Sequence, residues 1–416
     1  MPSYLPRVAD HELADRLAAM GVVLIEGPRA CGKTATATRV AATTFRFDED
    51  ANARAAVTLN PEALFAQPTP ILFDEWQVEP AIWNRVRRQV DDRGERGLFV
   101  LTGSATPRDD TTRHSGAGRI GTLRMRPMSL FESGHSNGQV SLATLLHGEA
   151  CTGQATELSV PDLMKRVVIG GWPGLIGVED REARAWLRDY LQQVSEVDVP
   201  AMGPHRNPRN ITRLLGSLAR SVGQPTKLTE LENDVAGDRG PIASETLHND
   251  LDALDRLMLT ETSEAWRPHM RSRTRLRSAP VRYFIDPSLG PAALGIGSAE
   301  LLADLNGAGF HVEAMVIRDL RVSSQPLGGV VESWRDANGR ELDAVVTLPG
   351  GRWAAFEVKL NPTAADDAAA SLLTFASSVD IARHGEPAAL AVITSTGYAG
   401  RRPDGVHVIP ITALGP

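Results

Sequence analysis

The most constraining feature of the sequence is a glycine-bounded loop that lies between a short apolar run and a helix-compatible segment. Residues 27–34 read GPRACGKT and match the phosphate-binding pattern G-x-x-x-x-G-K-[ST] in full. Residues 21–26 before the loop predict a strand, and residues 35–42 after it favour a helix. Backbone N–H groups of such a loop and of the first helical turn converge on a phosphate group. The pattern therefore predicts a nucleotide phosphate site on an α/β sheet.

The residue types in this loop suit binding of ATP and Mg²⁺. Gly32 lets the backbone approach a phosphate without a Cβ in the way. Lys33 places a positive charge near the β- and γ-phosphates, and the Thr34 hydroxyl is a suitable ligand for Mg²⁺. The residues expected to contact ATP are Gly27, Pro28, Arg29, Ala30, Cys31, Gly32, Lys33, Thr34 and Ala35.

A second short apolar run ends in two acidic residues. Residues 71–73 predict a buried parallel strand, and Asp74 and Glu75 follow where ligands bind in open α/β sheets. We expect Asp74 to hold Mg²⁺ through water and Glu75 to orient or deprotonate an attacking water. Either acid alone fits a solvated strand end equally well. Together with the upstream loop, they predict hydrolysis of ATP.

Polar residues after the next predicted strand, residues 98–101, extend this site. Thr102 and Ser104 fall at the same sheet edge as Asp74, so either one is a candidate to sense the γ-phosphate or simply a turn residue. Arg119 is a candidate arginine finger that would stabilise charge in the transition state. Arg113 fits a solvated loop arginine better.

The composition is that of an ordinary globular chain. The 416 residues suggest roughly two to four domains, and hydrophobic residues make up 42% and charged residues 23%. No apolar run approaches the roughly 18 residues of a membrane helix, and the N-terminus lacks the pattern of a secretory signal. Cys31 and Cys151 cannot form a disulfide framework. We therefore expect a cytoplasmic protein without a membrane segment, whose net charge of −7 requires a local basic patch for any nucleic-acid contact.

Several strings together resemble one family. They are residues 27–34, 47–48, 71–77, 101–105 and 118–119, the string MRPMSLFE at 125–132, and the string GGWP at 170–173. The chain resembles the prokaryotic AAA-type ATPases fused to an uncharacterised, DUF4143-like C-terminal domain with a restriction-endonuclease-like core. The resemblance implies an AAA core with a helical lid. It also implies a homo-oligomer in which a neighbouring subunit supplies the finger arginine, for which Arg119 is the candidate.

The middle of the chain predicts a small helical module. Residues 211–219, 228–235 and 244–254 favour helices and residues 257–262 favour a strand, an order typical of a winged helix-turn-helix. Glu245, Asp250 and Asp252 on the third helix would repel phosphates, so a structural or protein-contact role is favoured over DNA reading. The basic run at 267–277 fits a solvated loop and a phosphate-backbone contact about equally.

The C-terminal region predicts a hairpin that carries charged residues. Residues 342–348 and 352–360 favour strands around the turn 349–351, which places Asp343 opposite Glu357 and on the same face as Lys359. Two carboxylates bind a hard divalent cation, and a nearby lysine acts on water. The spacing resembles the PD-(D/E)XK nuclease superfamily, and Glu313 resembles the extra acid of many such nucleases. The alternative is a surface ion-pair cluster.

These inferences combine into an α/β chain with three predicted domains. They are an AAA-type ATPase core with a helical lid (1–203), a winged-helix-like module (204–268) and a restriction-endonuclease-like α/β domain (269–416). The favoured function is a Mg²⁺-dependent ATPase whose nucleotide state controls a nuclease-like effector. The alternative is a nucleotide-gated module that binds DNA or a partner protein through a catalytically silent C-terminal domain.

Overall fold

The computed structural model describes residues 4–103, 114–149, 152–154, 158–203, 206–237, 242–266, 280–336 and 339–416. The chain divides into two compact units. The first comprises Met1–Pro127, Trp172–Gly174 and Arg256–Met258, and the second comprises Met128–Gly171, Leu175–Asp255 and Leu259–Pro416. The boundary predicted at 203/204 lies inside the second unit, and the one at 268/269 falls outside the described residues. The division into three domains therefore stays a prediction.

The first unit alternates helices and strands, as an α/β chain does. Its elements in chain order are α1 (Val8–Ala19), β1 (Val22–Glu26), α2 (Lys33–Val40), β2 (Thr43–Arg46), α3 (Ala51–Leu59), α4 (Pro61–Phe65), β3 (Ile71–Asp74), α5 (Ala81–Arg93), β4 (Phe99–Gly103) and β5 (Ile120–Arg124).

These strands form one parallel sheet in the order β2-β3-β4-β1-β5. Strands β3 and β4 are buried along their whole length, which explains why they appear in the sequence as continuous apolar runs. Phe73 packs against Phe45, Phe47 and Phe99 with ring centroids 5.6–6.1 Å apart. Because the strands are parallel, the carboxyl ends of β1, β3 and β4 meet at one edge of the sheet.

The second unit begins with short elements and helices and ends in a mixed sheet. Its elements are β6 (Val140–Ser141), α6 (Leu142–Leu146), β7 (Gly153–Gln154), α7 (Val160–Ile169), α8 (Asp180–Gln193), α9 (Val199–Ala201), α10 (Pro208–Arg220), α11 (Leu228–Ala236), α12 (Ser244–Arg256), β8 (Thr260–Ser263), β9 (Val281–Phe284), α13 (Leu289–Leu294), α14 (Ser298–Ala303), α15 (Leu305–Ser324), β10 (Val330–Arg335), β11 (Glu341–Thr347), β12 (Trp353–Lys359), α16 (Ala365–Ser378), α17 (Ile381–His384), β13 (Ala389–Thr394), β14 (Tyr398–Arg401), β15 (His407–Pro410) and β16 (Leu414–Gly415).

The mixed sheet has the strand order β10-β11-β12-β13-β15-β14-β7. Strands β12, β13 and β15 run parallel, whereas β10–β11, β11–β12 and β14–β15 are antiparallel pairs. Side chains of β11 alternate between two cores: Ala344 and Val346 pack in the core that includes residues of α15, and Val345 packs in the core that includes residues of α16. The sheet is therefore covered on both faces.

Three helices precede an antiparallel strand pair, as the middle of the sequence predicts. Helices α10 and α11 are joined by hydrogen bonds from Arg213 Nη1 to the carbonyls of Val235 and Ala236, at 3.1 and 3.0 Å. Strand β8 pairs with β9 and begins at residue 260, later than the predicted start at 257. Asp250 is 2% exposed, and burial raises its pKa to about 6, so this acid faces the interior. The winged helix-turn-helix itself stays a prediction, and the basic run at 267–277 lies outside the described residues.

The glycines of the GGWP string have a packing reason. A Cβ at Gly170 would lie 2.1 Å from Asp286 Oδ1, and the Gly171 N–H donates to Asp286 Oδ2 at 2.9 Å. Asp286 is fully buried and accepts a 2.9 Å hydrogen bond from Arg318 Nη1. Breaking a buried ion pair of this kind costs about 3–5 kcal/mol. Gly170 thus leaves the room that this pair needs, whereas a Cβ at Gly171 would lie 1.9 Å from the Met128 carbonyl oxygen.

Within the described part of the chain, each helix is too short or too polar to cross a membrane.

Candidate functional sites: a phosphate loop and a carboxylate cluster

Residues 27–34, named here the phosphate loop, join β1 to α2 at the carboxyl edge of the parallel sheet. Gly32 adopts φ +104°, a left-handed conformation that favours glycine. Lys33 is the first residue of α2, and its Nζ donates to the carbonyl oxygens of Gly27 and Pro28 at 2.9 and 2.8 Å. The loop therefore holds one buried cation against its own backbone, next to the N-terminus of a helix.

Asp74, the last residue of β3, is the centre of a hydroxyl–carboxylate cluster. Thr34 Oγ1 donates to Asp74 Oδ1 at 2.9 Å, and Thr102 Oγ1 donates to the same oxygen. Asp74 is 5% exposed, so these bonds fix its orientation. A hydroxyl and a carboxylate held this close are hard oxygen donors of the type that Mg²⁺ prefers, and the residues present fit that ion. Thr102 thus lies at the same sheet edge as Asp74, as its strand-end position predicts, and its contact with a γ-phosphate stays a prediction.

Glu75 and the phosphate loop line one pocket of about 750 Å³. Its lining residues are Arg29, Ala30, Gly32, Lys33, Thr34, Ala35, Asp48, Glu75, Gln77 and Val78. Gln77 Nε2 donates a hydrogen bond to Glu75 Oε2. Sequence reasoning did not assign Asp48, Gln77 or Val78 to the site. Gln77 lies two residues after Glu75, and this short spacing was the sequence signal that could have placed it at the site.

The remaining loop residues make contacts within the protein. Gly27 and Pro28 supply the carbonyls that hold Lys33, and Cys31 is buried with its Sγ 3.9 Å from the Met125 carbonyl oxygen. None of these three is among the described residues that line the pocket. Cys151 lies outside the described residues.

Arg7 is a site-supporting residue that sequence reasoning missed. Arg7 is 6% exposed, and its guanidinium donates from Nη1 to the Cys31 carbonyl at 2.9 Å and from Nη2 to the Arg126 carbonyl at 2.6 Å. These bonds connect the phosphate loop to the chain just after β5. Arg7 is 24 residues away from Cys31 in sequence, and no local pattern indicates the contact.

Arg119 lies at the opposite edge of the sheet from the phosphate loop. It immediately precedes β5, and its carbonyl accepts from the N–H of Val22, the first residue of β1. Its Nε donates to Asp91 Oδ1 at 2.7 Å, and this hydrogen bond lowers the pKa of Asp91. Arg119 is therefore separated from the ATP-site residues of its own chain by the length of a strand. Ser104 and Arg113 lie outside the described residues.

A parallel sheet with a phosphate loop after β1 and an acidic pair at the end of β3 defines the class of P-loop ATPase domains. Residues 20–133 match the family model described as an AAA domain, so the first unit carries an AAA domain. Residues 308–414 match a domain of unknown function, DUF4143. These two matches confirm the predicted fusion of an AAA domain to a DUF4143 domain, whereas the restriction-endonuclease-like core stays a prediction. The segment between them, residues 160–300, matches another domain of unknown function, DUF8612.

Solved structures give more distant similarities. The Walker-type ATPase of Pyrococcus abyssi is 12% identical, with 68% of this chain and 94% of that chain covered at a TM-score of 0.44. The structure of Drosophila ORC bound to DNA is 15% identical, with coverages of 65% and 81% and a TM-score of 0.20. None of the curated proteins matches the sequence.

The second site is built on the hairpin of β11 and β12. The strands pair Ala344 with Phe356, and the same register places Asp343 opposite Glu357, as predicted. Asp343 Oδ2 accepts from the backbone N–H of Val358 at 2.7 Å, and Lys359 Nζ donates to Glu357 Oε1 at 2.7 Å. The predicted proximity of Glu357 and Lys359 on one face is thus observed.

Glu313 joins this hairpin from α15. All four residues, named here the carboxylate cluster (Glu313, Asp343, Glu357 and Lys359), line a cavity of about 790 Å³ in the second unit. Glu313 Oε1 accepts from the Tyr283 hydroxyl at 2.5 Å. Glu357 Oε2 is buried without a hydrogen-bond partner among the described residues. Glu341 and Tyr283 also line the cavity, and sequence reasoning had not placed them there.

The carboxylates of this cluster disfavour each other's charge. Burial, and then the charge of Glu357, raise the pKa of Asp343 to about 7. Burial and the charge of Asp343 raise the pKa of Glu313 well above its usual range. Burial also raises the pKa of Glu357, although Lys359 opposes the shift. Burial alone would lower the pKa of Lys359, but Glu357 and Asp343 raise it. The cavity thus concentrates negative potential that a cation would relieve.

The oxygen donors of Asp343 and Glu357 are of the type that binds Mg²⁺ or Mn²⁺, and the unpartnered Glu357 Oε2 leaves one lone-pair set available. Among the described residues, His, Cys, Asp and Glu side chains do not gather in groups of three with metal-binding spacing. A cation at this site would accordingly be held by the carboxylates of Asp343 and Glu357, with water completing its coordination.

Proposed function

We propose that the first unit binds ATP with Mg²⁺ and hydrolyses it. The observation that carries this proposal is the convergence of the phosphate loop, Asp74 and Glu75 at one sheet edge, with Thr34 and Thr102 both donating to Asp74 Oδ1. Lys33, Thr34 and Glu75 line the same pocket, where the triphosphate would lie. In hydrolysis, a water oxygen bonds to the γ-phosphorus while the bond to the β–γ bridging oxygen breaks. ADP leaves with that electron pair, and Glu75 receives the proton of the water.

Each side chain has a distinct task in this reaction. The Lys33 ammonium donates hydrogen bonds to the Gly27 and Pro28 carbonyls. With ATP bound, it would offset the negative charge of the β- and γ-phosphates. Thr34 and Asp74 would hold Mg²⁺, which supplies charge neutralisation at the β- and γ-oxygens when bound. Thr102 orients Asp74 and, at the end of β4, is also the candidate contact to the γ-phosphate.

Arg119 acts in this proposal on the ATP of a neighbouring subunit in a homo-oligomer. Its position at the opposite edge of its own sheet argues against a role on the ATP of its own chain. An arginine on a partner places a cation beside the transition state only in the assembled complex. Oligomerisation would then control turnover.

We further propose that the nucleotide state controls the C-terminal region as a nuclease-like effector. The supporting observation is the cluster of Asp343, Glu357 and Lys359, with a buried carboxylate oxygen that has no partner among the described residues. In that function, Asp343 and Glu357 would hold a divalent cation, and Lys359 would act on the water that attacks a phosphodiester. The restriction-endonuclease-like fold and the winged-helix-like module belong to this proposal.

The alternative is a nucleotide-gated binding module that grips DNA or a partner protein without cutting. Within this alternative, the acidic character of the cavity favours a partner protein over DNA when no divalent cation is bound, because phosphates would be repelled. Its acidic lining residues are Glu230, Glu264, Glu313, Glu341, Asp343 and Glu357, and its basic ones are Lys227, Arg335 and Lys359.

One experiment tests both the ATPase function and the function of the C-terminal region. The purified full chain is incubated with ATP, Mg²⁺ and end-labelled DNA, and released phosphate and DNA fragments are followed together. Phosphate release with DNA fragments supports the effector function. Phosphate release with DNA retention but no fragments supports the binding module. A chain that releases no phosphate at any concentration contradicts the ATPase.

A further inference from the structure

The chain turns sharply after β3 and brings Gln77 back over Glu75. Glu75 adopts φ +52° and ψ +48°, a left-handed conformation that is uncommon for a residue with a Cβ. A 3₁₀ turn, Trp76–Val78, follows it directly. This turn places Gln77 Nε2 as the donor to Glu75 Oε2. A strained backbone conformation persists only where its surroundings enforce it, and such positions cluster at functional sites.

The turn is anchored on both sides of Gln77. Trp76 is 2% exposed and packs against Trp83 with ring centroids 5.0 Å apart. On the other side, a Cβ at Gly103 would lie only 2.5 Å from Gln77 Oε1, so the end of β4 approaches the amide as only glycine allows. Gly103 directly follows Thr102, which donates to Asp74. The Gln77 side chain therefore lies between Glu75 and the strand end that carries Thr102.

The orientation of the Gln77 amide has a physical reason. Its NH₂ group faces the Glu75 carboxylate, whereas its Oε1 is buried against Gly103 without a partner among the described residues. The reversed orientation would place an oxygen against a carboxylate, which offers no donor. The amide accordingly gives Glu75 a charge-assisted hydrogen bond and holds one of its oxygens in place.

We infer that Gln77 is a positioning residue for ATP hydrolysis, which holds the Glu75 carboxylate so that its second oxygen receives the proton of the attacking water. This inference rests on the ATPase function proposed above. Gln77 transfers no proton and forms no bond to phosphorus; it acts through Glu75. A base held in one geometry loses little orientational freedom on the way to the transition state, and misplacement by about 1 Å costs up to a hundredfold in rate.

The test compares full-length variants with the wild type, first three single variants and then Gln77→Met in a Glu75→Gln background. Gln77→Met keeps the length and packing of the side chain and removes the hydrogen bond. Gln77→Glu keeps the shape but places a carboxylate against Glu75. Gln67→Met is the matched control, because Gln67 is an exposed glutamine of the same unit whose hydrogen bond goes to the Ala63 carbonyl. We measure kcat, ATP affinity, and affinity for ADP with aluminium fluoride as a transition-state analogue.

Both Gln77 variants are expected to lower kcat by about tenfold or more and to weaken analogue binding similarly, with ATP affinity unchanged within about twofold. In a Glu75→Gln background, Gln77→Met should add no further loss, since its effect passes through Glu75. The Gln67→Met control should match the wild type.

Two outcomes would contradict the positioning role and indicate a structural one. They are equal losses of ATP affinity and kcat in the Gln77 variants, and additive losses of kcat when Gln77→Met is combined with Glu75→Gln. If the wild type hydrolyses ATP and both Gln77 variants have the same kcat, the role of Gln77 is contradicted but the ATPase function is not. A wild type without hydrolysis overturns the proposed function as well.

Discussion

The phosphate loop and the carboxylate cluster are both charged sites next to strands, but they manage charge differently. In the phosphate loop, Lys33 rests on the backbone carbonyls of Gly27 and Pro28, five and six residues away. In the carboxylate cluster, Asp343, Glu357 and Glu313 come from two strands and a helix, and Lys359 donates a hydrogen bond to Glu357. In the first site the cation is hydrogen-bonded by neutral backbone groups of its own segment, whereas the second site brings together like charges from distant parts of the chain.

This difference indicates that the two sites bind ligands of opposite charge. A loop of N–H groups with a buried cation is prepared for an anion, and its conformation is a property of eight consecutive residues. A cavity in which burial and mutual repulsion raise the pKa values of Asp343, Glu313 and Glu357 is prepared for a cation. Variants that remove one site should therefore leave ligand binding at the other unchanged.

The largest effect is expected at Lys33. Lys33→Ala removes the cation aimed at the phosphates, so ATP binding should fall by about a hundredfold or more, to below detection with a fluorescent ATP analogue. Lys165→Ala, at a half-exposed lysine paired with Asp162, is the matched control and should bind ATP as the wild type does. Persistent tight ATP binding in Lys33→Ala would mean that the loop is not the ATP site.

Glu75→Gln should keep ATP affinity and lower turnover by about a thousandfold. The amide keeps the shape of the side chain but cannot accept the proton of the attacking water. Phosphate release in single-turnover conditions measures the effect separately from product release. A variant that hydrolyses ATP at the wild-type rate would remove Glu75 from the reaction.

A variant at Arg119 tests whether ATP hydrolysis requires an arginine from a second chain. Arg119→Ala should lower turnover by at least about a hundredfold at concentrations where the wild type is oligomeric. Asp91→Asn is the control, since it breaks the Arg119–Asp91 ion pair but keeps the guanidinium. Wild-type activity per chain should rise with concentration. A flat specific activity across an about hundredfold dilution, with a monomer throughout, would contradict this role.

The carboxylate cluster should bind Mn²⁺ independently of ATP. Calorimetric titration of Mn²⁺ into Lys33→Ala protein should give a saturable signal, and Asp343→Ala should weaken it by about tenfold or more while leaving ATP hydrolysis intact. Asp367→Ala, at an exposed acid of α16, is the matched control. Lys359→Ala should retain Mn²⁺ and lose any DNA cleavage. No saturable heat beyond that of Asp343→Ala would favour the binding-module alternative.

The smallest effect concerns stability and pH without metal. The pKa of Asp343 is about 7 in the folded chain, against about 3.9 for an unfolded aspartate. As pH rises from about 4 to about 7, the unfolded state releases this proton first, so the free energy of unfolding decreases. Asp343→Asn removes the cost of ionising a buried carboxyl and keeps an acceptor for the Val358 N–H. Its melting temperature should therefore exceed that of the wild type by about 5 °C at pH 8 and match it near pH 4. An equal difference at both pH values would contradict the shifted pKa.

Local patterns were sufficient for the parallel sheet and for the residues of the phosphate loop. Strand, glycine loop and helix are consecutive, so the geometry of Gly32, Lys33 and Thr34 is encoded within one short segment. Asp74 and Thr102 were also predictable, because parallel strands bring their carboxyl ends to one edge. The hairpin register that sets Asp343 opposite Glu357 followed from the length of its turn.

Other features depend on contacts between segments far apart in the chain. Arg7 reaches the phosphate loop, Tyr283 reaches Glu313, and Gly170 makes room for Asp286 only after the chain has folded. The sequence by itself determined which residues are ionisable and which strands are buried, because those follow from side-chain chemistry and period. Only the tertiary structure decided which charges share a cavity, and hence which carboxylates resist ionisation, because burial and repulsion depend on distance through space and not along the chain.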